Sequence, residues 1–277
     1  MVRTWTGLRL RAGQIRFRSP MRLMRRRARG EEAELLAELA TTAPIPAGDD
    51  LNAATPEDRR ILERALPFTM TGGARLQSVI DAVRYCVRRG VPGAFAECGV
   101  WRGGSVLAMI LALQDLALAD RDVYLYDTFE GMTEPTEHDV SPYHPPAPEL
   151  WEKTGGRIWP KLFDPKDFNE QAVHETLRST GYPDERLHFI RGPVEETIPG
   201  AAPDRLALLR LDTDWYESTR HELLHLYPRL ADGGVLIVDD YGHWEGARRA
   251  VDEYFAEHAQ PLLLSRIDYA ARIAVKH

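Results

Sequence analysis

The chain has 277 residues, 44% of them hydrophobic and 28% charged, which suits one globular α/β domain with additions or two small domains. No apolar run approaches the roughly 20 residues of a membrane-spanning helix, and no apolar stretch ends in a signal-peptide cleavage site, so we expect a cytoplasmic protein without a membrane span. The net charge of −7 argues against a nucleic-acid partner.

The first 30 residues are strongly basic. They carry ten arginines and no acid, which leaves 25 basic against 42 acidic residues and a net charge of −17 for the rest of the chain. Such a segment is compatible with contact to nucleic acid, an anionic membrane surface or an organelle import receptor. A poorly ordered arm, or an arm packed on an acidic partner subunit, is the simpler interpretation because termini are commonly disordered. We therefore predict a basic N-terminal arm over 1–30.

Residues 31–92 form a predicted helical region. Its elements are a short helix over 31–40, a linker over 44–50, a helix from the N-cap Thr55 to about Leu66, and a helix over 75–89 that Gly90 ends. The two cysteines of the chain, Cys86 and Cys98, lack the paired spacing of zinc or redox sites. We expect two buried thiols in a reducing compartment and no disulfide.

Residues 93–277 alternate between strand and helix patterns. The predicted strands are 94–98, 122–127, 187–192, 206–211, 235–238, 262–266 and 271–275, and the predicted helices are 105–117, 169–180, 216–226 and 246–258. This order predicts a doubly wound, Rossmann-like α/β sheet, mostly parallel, with helices on both faces and a terminal antiparallel hairpin.

A glycine-rich turn follows the first of these strands, in Phe95-Ala96-Glu97-Cys98-Gly99-Val100-Trp101-Arg102-Gly103-Gly104-Ser105. Glycines there let a ligand approach the backbone, and the helix start offers unpaired N–H groups to a carboxylate or phosphate. The spacing departs from the dinucleotide pattern GxGxxG. The second strand ends in Asp127, which suits either the two hydroxyls of a ribose or a simple turn cap. Together, the turn and Asp127 indicate a ligand that bears a nucleoside.

Four carboxylates follow two apolar strands: Asp212 and Asp214 after 206–211, and Asp239 and Asp240 after 235–238. The carboxyl ends of parallel strands meet at the edge of a sheet where ligands bind. Unneutralised carboxylates in one place repel one another, so a bound cation is the simplest resolution. Single acids at such positions are commonly caps, and that alternative stays open for Asp214 and Asp240.

The segment over 130–160 is too long for an ordinary connection and contains many prolines. Long loops at a ligand edge are often lids, whereas disorder without a binding role is the alternative. We predict a lid that closes over the substrate and contributes to selectivity.

Five segments together resemble the macrocin O-methyltransferase (TylF-like) family, whose members methylate sugar or related hydroxyls. They are Thr69-Met70-Thr71, the turn 95–105, Tyr126-Asp127-Thr128-Phe129-Glu130-Gly131-Met132, Leu211-Asp212-Thr213-Asp214-Trp215-Tyr216-Glu217-Ser218-Thr219 and Asp239-Asp240-Tyr241-Gly242-His243-Trp244. The resemblance covers about residues 60–260 and leaves out the basic arm. It implies a class I methyltransferase fold, S-adenosyl-L-methionine (SAM) as cofactor, a divalent cation, usually magnesium (Mg2+), and a homo-oligomer.

The resemblance also implies roles for individual residues. Around the methionine part of SAM it places Thr69, Met70, Glu97, Gly99 and Ser105; at the ribose Asp127; and at the adenine Gly192 and Glu195. The metal ligands fall on Asp212, Asp239 and Asp240, and the general base falls on Asp214. His243 is an alternative base or a substrate contact, because its imidazole titrates near working pH.

Chemistry gives these roles a reason. A sugar hydroxyl is a poor nucleophile near neutral pH, and a hard cation lowers its pKa so that a nearby base can remove the proton. The methyl group of SAM is already activated, so the enzyme mainly has to hold the oxygen in line with it and exclude water. We expect a SAM-dependent O-methyltransferase that acts on one hydroxyl of a vicinal pair in a sugar-containing acceptor.

Two other function classes stay open. A metal-dependent α/β hydrolase would use the same acidic cluster, but the sequence has no convincing nucleophile elbow or histidine-rich metal set. A non-catalytic nucleotide-binding relative would be expected to have an incomplete acidic cluster.

Overall fold

The computed structural model describes residues 54–277. The predicted basic arm over 1–30, the helix over 31–40 and the linker over 44–50 lie outside the described residues. Within residues 54–277, no helix combines the length and the apolar character needed to cross a membrane.

Within the described residues, two helices precede the sheet. Helix α1 (Pro56–Ala65) begins at the predicted N-cap, where the Thr55 hydroxyl accepts the N–H of Asp58 at 3.1 Å. A short 3-10 turn over Leu66–Phe68 follows, and α2 spans Gly73–Arg88. The helical spacing predicts an apolar face on α2, and the helix buries its Leu76, Val79, Ile80 and Val83 together with Cys86, whereas Val87 of that face is half-buried.

In the part of the chain that the structure describes, seven strands form one sheet in the order β3-β2-β1-β4-β5-β7-β6. Their bounds are β1 Ala94–Cys98, β2 Val123–Asp127, β3 Leu187–Arg191, β4 Leu206–Leu211, β5 Leu230–Val238, β6 Ser265–Arg266 and β7 Arg272–Val275. Strands β1 to β5 pair in parallel, whereas β7 is antiparallel to both β5 and β6. The predicted doubly wound sheet and its terminal hairpin are confirmed.

The helices after β1 are α3 Gly104–Asp115, α4 Ala147–Lys153, α5 Glu170–Arg178, α6 Val194–Thr197, α7 Tyr216–Leu226 and α8 Glu245–Glu257, with 3-10 turns at Asp184–Arg186 and Tyr227–Arg229. Four of these helices lie within two residues of their predicted positions. The short helices α4 and α6 were not predicted. Strand β5 also begins five residues earlier than expected. Its first residues, Leu230-Ala231-Asp232-Gly233-Gly234, have the composition of a turn and not of a strand.

Each face of the sheet has its own hydrophobic core, as the alternation of side chains along a strand requires. In β1, Phe95 packs in the core that includes α1, α2 and α3, whereas Ala94, Ala96 and Cys98 pack in the core that includes α7 and α8. Cys86 and Cys98 are both buried and unpaired, as predicted.

The topology fixes where a ligand can bind. Strand β1 is an inner strand of the sheet. Strands β2 and β3 follow on one side of it, and β4 and β5 then follow on the other side. The carboxyl ends of β1 and β4 therefore flank the point where the chain reverses direction, which is the usual ligand crevice of an open α/β sheet.

Candidate active site

The glycine-rich turn brings three parts of the chain together. Gly99 has φ +82°, and a Cβ at this position would overlap the backbone carbonyl oxygen of Asp212. At Gly104, a Cβ would lie 2.6 Å from the carbonyl oxygen of Phe68 and 2.8 Å from Cβ of Thr69. Only glycine permits these approaches, so the turn joins the end of β4 to the segment that carries Thr69 and the half-exposed Met70.

Asp127 holds the same turn from the neighbouring strand. Its Oδ2 accepts the backbone N–H of Val100 at 2.7 Å and of Trp101 at 2.9 Å, and its Oδ1 accepts the N–H of Phe129 at 2.7 Å. The turn-cap interpretation of Asp127 is therefore correct. It does not conflict with a ribose contact, because a carboxylate offers about four acceptor positions.

The two residues predicted at the adenine lie near Asp127. The N–H of Gly192 donates to the carbonyl oxygen of Asp127 at 3.0 Å, so the end of β3 adjoins the end of β2. Glu195 follows on α6 with an exposed side chain. The predicted ribose and adenine residues thus share one edge of the sheet.

One buried arginine connects the cofactor region to the acidic cluster. Arg210 on β4 is 1% exposed and donates to Glu97 of β1, to Oδ2 of Asp212 at 2.7 Å and to Oδ1 of Asp239 at 2.5 Å. Arg210 and Asp212 lie two residues apart on an extended strand, so their side chains share a face of the sheet. A single guanidinium group therefore forms ion pairs with carboxylates at three neighbouring strands.

Glu97 fits a ligand with a positive donor. Burial raises its pKa to about 7 against the opposing effect of Arg210, and the Ser105 hydroxyl also lowers the pKa. Its Oε2 is buried and accepts no hydrogen bond within residues 54–277. A buried acceptor without a donor is costly, and the ammonium group of the methionine part of SAM is a donor of the right charge.

A second arginine reaches the cluster from outside the sheet. Arg75, near the start of α2, pairs with Oδ2 of Asp239 and, through Nε at 2.7 Å, with Asp268. Burial raises the pKa of Asp239, but Arg210 and Arg75 outweigh this effect and hold the pKa below its ordinary value. Two guanidinium groups therefore compensate part of the charge of the cluster, and the sequence alone did not indicate them.

The remaining charge fits a divalent cation. Asp212, Asp239 and Asp240 each present an oxygen, and these oxygens lie within 4.8 Å of one another. Burial first, and then the neighbouring carboxylates, raise the pKa values of Asp212 and Asp240 despite Arg210. In the described part of the chain, the Asp240 carboxylate accepts no hydrogen bond, so it is not the turn cap that the sequence left open. Three close oxygen donors with uncompensated charge suit Mg2+ or a similar ion.

Asp214 lies beside this cluster in an unusual conformation. Its φ is +67°, a left-handed value that costs a non-glycine residue on the order of 1 kcal/mol. Its Oδ1 accepts the indole N–H of Trp244 at 2.7 Å. Burial and the charge of Asp212 raise its pKa to about 8. Asp214 is not the cap of α7, since the first N–H of that helix, from Tyr216, donates to Oδ1 of Asp139 at 2.8 Å.

His243 is enclosed by two polar neighbours. Its Nδ1 lies 3.0 Å from the Tyr269 hydroxyl, and its Nε2 lies 3.0 Å from Nε2 of His144. Burial, His144 and Arg75 lower the pKa of His243 to about 4. The ring is a weak proton acceptor at neutral pH and has both nitrogens in contact with protein.

The segment over 130–160 packs on the site through several backbone and side-chain contacts. The carbonyl of Thr133 accepts the indole N–H of Trp215 at 3.0 Å, and the carbonyl of Val140 accepts the N–H of Glu245 at 2.9 Å. Asp139 is fully buried, and besides Tyr216 it binds the N–H of Thr136 at 2.7 Å. The N-cap residues of α7 and α8 form no side-chain hydrogen bond with their own helices. The sequence around these helix starts therefore does not indicate that the 130–160 segment contacts them. Closure as a lid remains a prediction.

We predict that Asp139→Ala lowers the free energy of unfolding by about 1–2 kcal/mol, since it removes the side-chain cap of α7. The matched control is Asn169→Ala, which removes the cap of α5, where Asn169 Oδ1 accepts the N–H of Ala172 at 2.8 Å. Urea unfolding should give similar losses for both variants. Limited proteolysis should cut the 130–160 segment faster in Asp139→Ala alone; equal protection in both would contradict the anchoring role.

A family model and two similar proteins assign the chain to the same kind of enzyme. The model of the family Macrocin-O-methyltransferase (TylF) matches residues 46–275. An 8-demethyl-8-(2,3-dimethoxy-alpha-L-rhamnosyl)-tetracenomycin-C 4'-O-methyltransferase of Streptomyces olivaceus is 36% identical over 220 residues, 76% of this chain and 77% of that protein. A Mycinamicin III 3''-O-methyltransferase of Micromonospora griseorubida is 34% identical over 198 residues, 69% of this chain and 71% of that protein.

A solved structure supports the same family. The O-methyltransferase NovP is 28% identical, with a TM-score of 0.66, over 88% of this chain and 99% of that chain. The family model extends beyond the five segments noted in the sequence, since residues 46–275 include all seven strands. These findings set aside the hydrolase and the non-catalytic relative. The chain belongs to the Macrocin-O-methyltransferase (TylF) family and is a SAM-dependent O-methyltransferase of the class I fold.

Proposed function

We propose that this enzyme methylates a hydroxyl of a sugar carried by a natural product, and that it requires a divalent cation, Mg2+ in the first place. The observation that carries the proposal is the group of oxygens from Asp212, Asp239 and Asp240 within 4.8 Å of one another, beside the glycine-rich turn. The sugar acceptor is supported by the relatives, of which one is named for a rhamnosyl tetracenomycin.

The cofactor residues divide by the part of SAM that they would hold. At the methionine part are Thr69, Met70, Glu97, Gly99 and Ser105, with the buried Oε2 of Glu97 as the acceptor for the ammonium group. Asp127 would bind the ribose hydroxyls with its unused acceptor positions, and Gly192 and Glu195 would border the adenine. When bound, SAM would supply an activated methyl group, and a cation that Asp212, Asp239 and Asp240 would hold would lower the pKa of a hydroxyl in contact with it.

We assign the general base to Asp214 and not to His243. Trp244 occupies Oδ1 of Asp214, so Oδ2 is the oxygen that takes the proton of the acceptor hydroxyl. Burial and the charge of Asp212 raise the pKa of Asp214 to about 8 in the metal-free chain, so this carboxylate takes up a proton readily. His243, with a pKa of about 4, has little tendency to hold a proton.

The chain's own residues then account for the rest of the step. Asp214 would take up the proton of the acceptor hydroxyl through Oδ2, and the hydroxyl oxygen would then accept the methyl group that bound SAM would supply. Arg210 and Arg75 keep the surrounding carboxylates in place throughout. The packed segment over 130–160 limits the access of water.

Two finer expectations stay predictions. A homo-oligomer is expected from the family resemblance, and a cytoplasmic location is expected because the sequence shows neither a membrane-spanning run nor a signal peptide.

The proposal predicts that methyl transfer depends on the cation. The purified enzyme is incubated with labelled SAM and a panel of rhamnosides, other glycosylated natural products and nucleotide sugars, with Mg2+ or with EDTA. Removal of the metal should lower turnover at least about 10-fold, and added Mg2+ should restore it. Full activity in EDTA would remove the metal from the proposal, whereas no transfer to any sugar acceptor would contradict the substrate class.

A further inference from the structure

A line of polar contacts leads from the acidic cluster into the 130–160 segment. Arg75, which binds Asp239, lies with its guanidinium carbon 5.7 Å from the ring centre of Tyr269. The Tyr269 hydroxyl lies 3.0 Å from Nδ1 of His243, and Nε2 of His243 lies 3.0 Å from Nε2 of His144. The last member of the line, His144, belongs to the segment and not to the sheet.

The direction of the first hydrogen bond is inferred from Arg75. Arg75 is a hydrogen-bond partner of the Tyr269 side chain, and a guanidinium group only donates, so the phenol oxygen accepts from Arg75 and the O–H of Tyr269 points away from it. Within residues 54–277, Nδ1 of His243 is the acceptor within hydrogen-bond distance of this hydroxyl. Tyr269 therefore donates to His243.

The other protons follow from the chemistry of imidazole, which always carries at least one N–H. Because Nδ1 of His243 accepts, its proton must lie on Nε2, and this N–H donates to Nε2 of His144. Because Nε2 of His144 then accepts, the proton of His144 must lie on Nδ1. That nitrogen is buried and has no hydrogen-bond partner in the part of the chain that the structure describes.

The unpaired donor lies near the proposed base. His144 stacks on Trp244, with ring centres 5.6 Å apart and an angle of 26° between the planes, and Trp244 is the residue that holds Asp214. On another side, Trp159 contacts His144 edge to face at 5.9 Å. A buried N–H without an acceptor is costly, and a ligand oxygen would supply what the protein lacks.

We propose that Nδ1–H of His144 donates to an oxygen of the methyl acceptor, and that Tyr269 and His243 act as positioning residues that fix this tautomer. The inference rests on the proposed function, since it concerns the same acceptor. It names a chemical requirement: the acceptor presents a hydroxyl, ether or carbonyl oxygen to His144. An analogue without that oxygen leaves the N–H unpaired and is discriminated against.

The tautomers can be measured without an acceptor. Two-dimensional 1H–15N NMR of imidazole-labelled full-length enzyme distinguishes Nδ1–H from Nε2–H. Two histidines give internal references: His221 contacts the carbonyl of Ile198 through Nε2 at 2.9 Å, and His258 contacts that of Tyr254 through Nδ1 at 2.8 Å. A carbonyl only accepts, so these rings report the two tautomers.

The expected result is Nε2–H for His243 and Nδ1–H for His144. In Tyr269→Phe, which removes the phenol donor, His243 should lose its single tautomer. The reverse assignment in the wild-type enzyme, or a second proton on either ring, would overturn the proposal.

Two substitutions of His144 test the contact with the acceptor. The amide nitrogen of asparagine reproduces the position of Nδ1, whereas that of glutamine reproduces Nε2. With the panel compound that gives the highest turnover, His144→Asn should keep KM within about 3-fold, and His144→Gln should raise KM about 10-fold with kcat little changed. Equal KM values for the two variants would overturn the acceptor contact. Failure of all panel compounds would instead count against the proposed function, and the NMR measurement would still decide the tautomers.

Discussion

Asp214→Asn should reduce kcat by about 1,000-fold, within the range that general-base catalysis supplies. The substitution preserves shape, and asparagine tolerates the left-handed conformation at φ +67° as well as aspartate does. Its amide oxygen can still accept the indole N–H of Trp244. Only the ability to take a proton is lost. Single-turnover kinetics with saturating SAM would measure the effect.

The comparison variant for Asp214→Asn is His243→Gln. If His243 only orients His144, this variant should keep KM for the acceptor within about 3-fold and kcat within about 10-fold, because the amide nitrogen of glutamine reproduces the Nε2 donor to His144. Calorimetric titration with S-adenosylhomocysteine and thermal unfolding should show little change for Asp214→Asn. If Asp214→Asn keeps more than a tenth of kcat while His243→Gln loses most of it, the base has been assigned to the wrong residue.

Arg210→Met should lower the free energy of unfolding by about 3–5 kcal/mol, the usual effect of removing one partner from a buried ion pair. Methionine fills a similar volume, but it leaves Glu97 and Asp239, each 1% exposed, without the guanidinium group they share. Urea unfolding in the absence of divalent cations would measure the loss.

A matched control for Arg210→Met is Arg249→Met, which removes an exposed ion pair with Glu253 four residues away on α8. That loss should be small beside the one expected for Arg210→Met, because water screens an exposed ion pair. Adding Glu97→Gln to Arg210→Met removes one uncompensated charge and should recover part of the stability. Equal unfolding energies for Arg210→Met and Arg249→Met would show that Arg210 does not stabilise the cluster.

The sheet could be predicted because its strands and helices differ in periodicity. Continuous apolar runs such as 206–211 indicate buried parallel strands, and the helical spacing over 75–89 indicates an amphipathic helix. The short helix α4 was not predicted, because its seven residues, Ala147–Lys153, are too few to show a periodic pattern. Strand β5 was shortened because glycines at 233 and 234 are typical of a turn.

The site was predicted where it depends on topology and missed where it depends on tertiary contacts. Asp212, Asp239 and Asp240 follow adjacent parallel strands, so their proximity follows from the fold. The role of Arg210 was not predicted, because it is a single charged residue in an apolar run. A charged residue in a buried strand nevertheless indicates a partner of opposite charge, and Asp212, two residues later, lies on the same face. Arg75 and Asp139 gave no such signal, because their partners lie 164 and 77 residues away in the sequence.

The central claim is that the ends of β4 and β5 hold a divalent cation beside the cofactor. Crystals of the enzyme with S-adenosylhomocysteine and Mn2+, measured at the manganese absorption edge, test it directly. The expected result is an anomalous peak at roughly 2.2 Å from carboxylate oxygens of Asp212, Asp239 and Asp240. A bound cofactor with no peak at these three carboxylates, and with Arg75 and Arg210 in their present contacts, would contradict the claim.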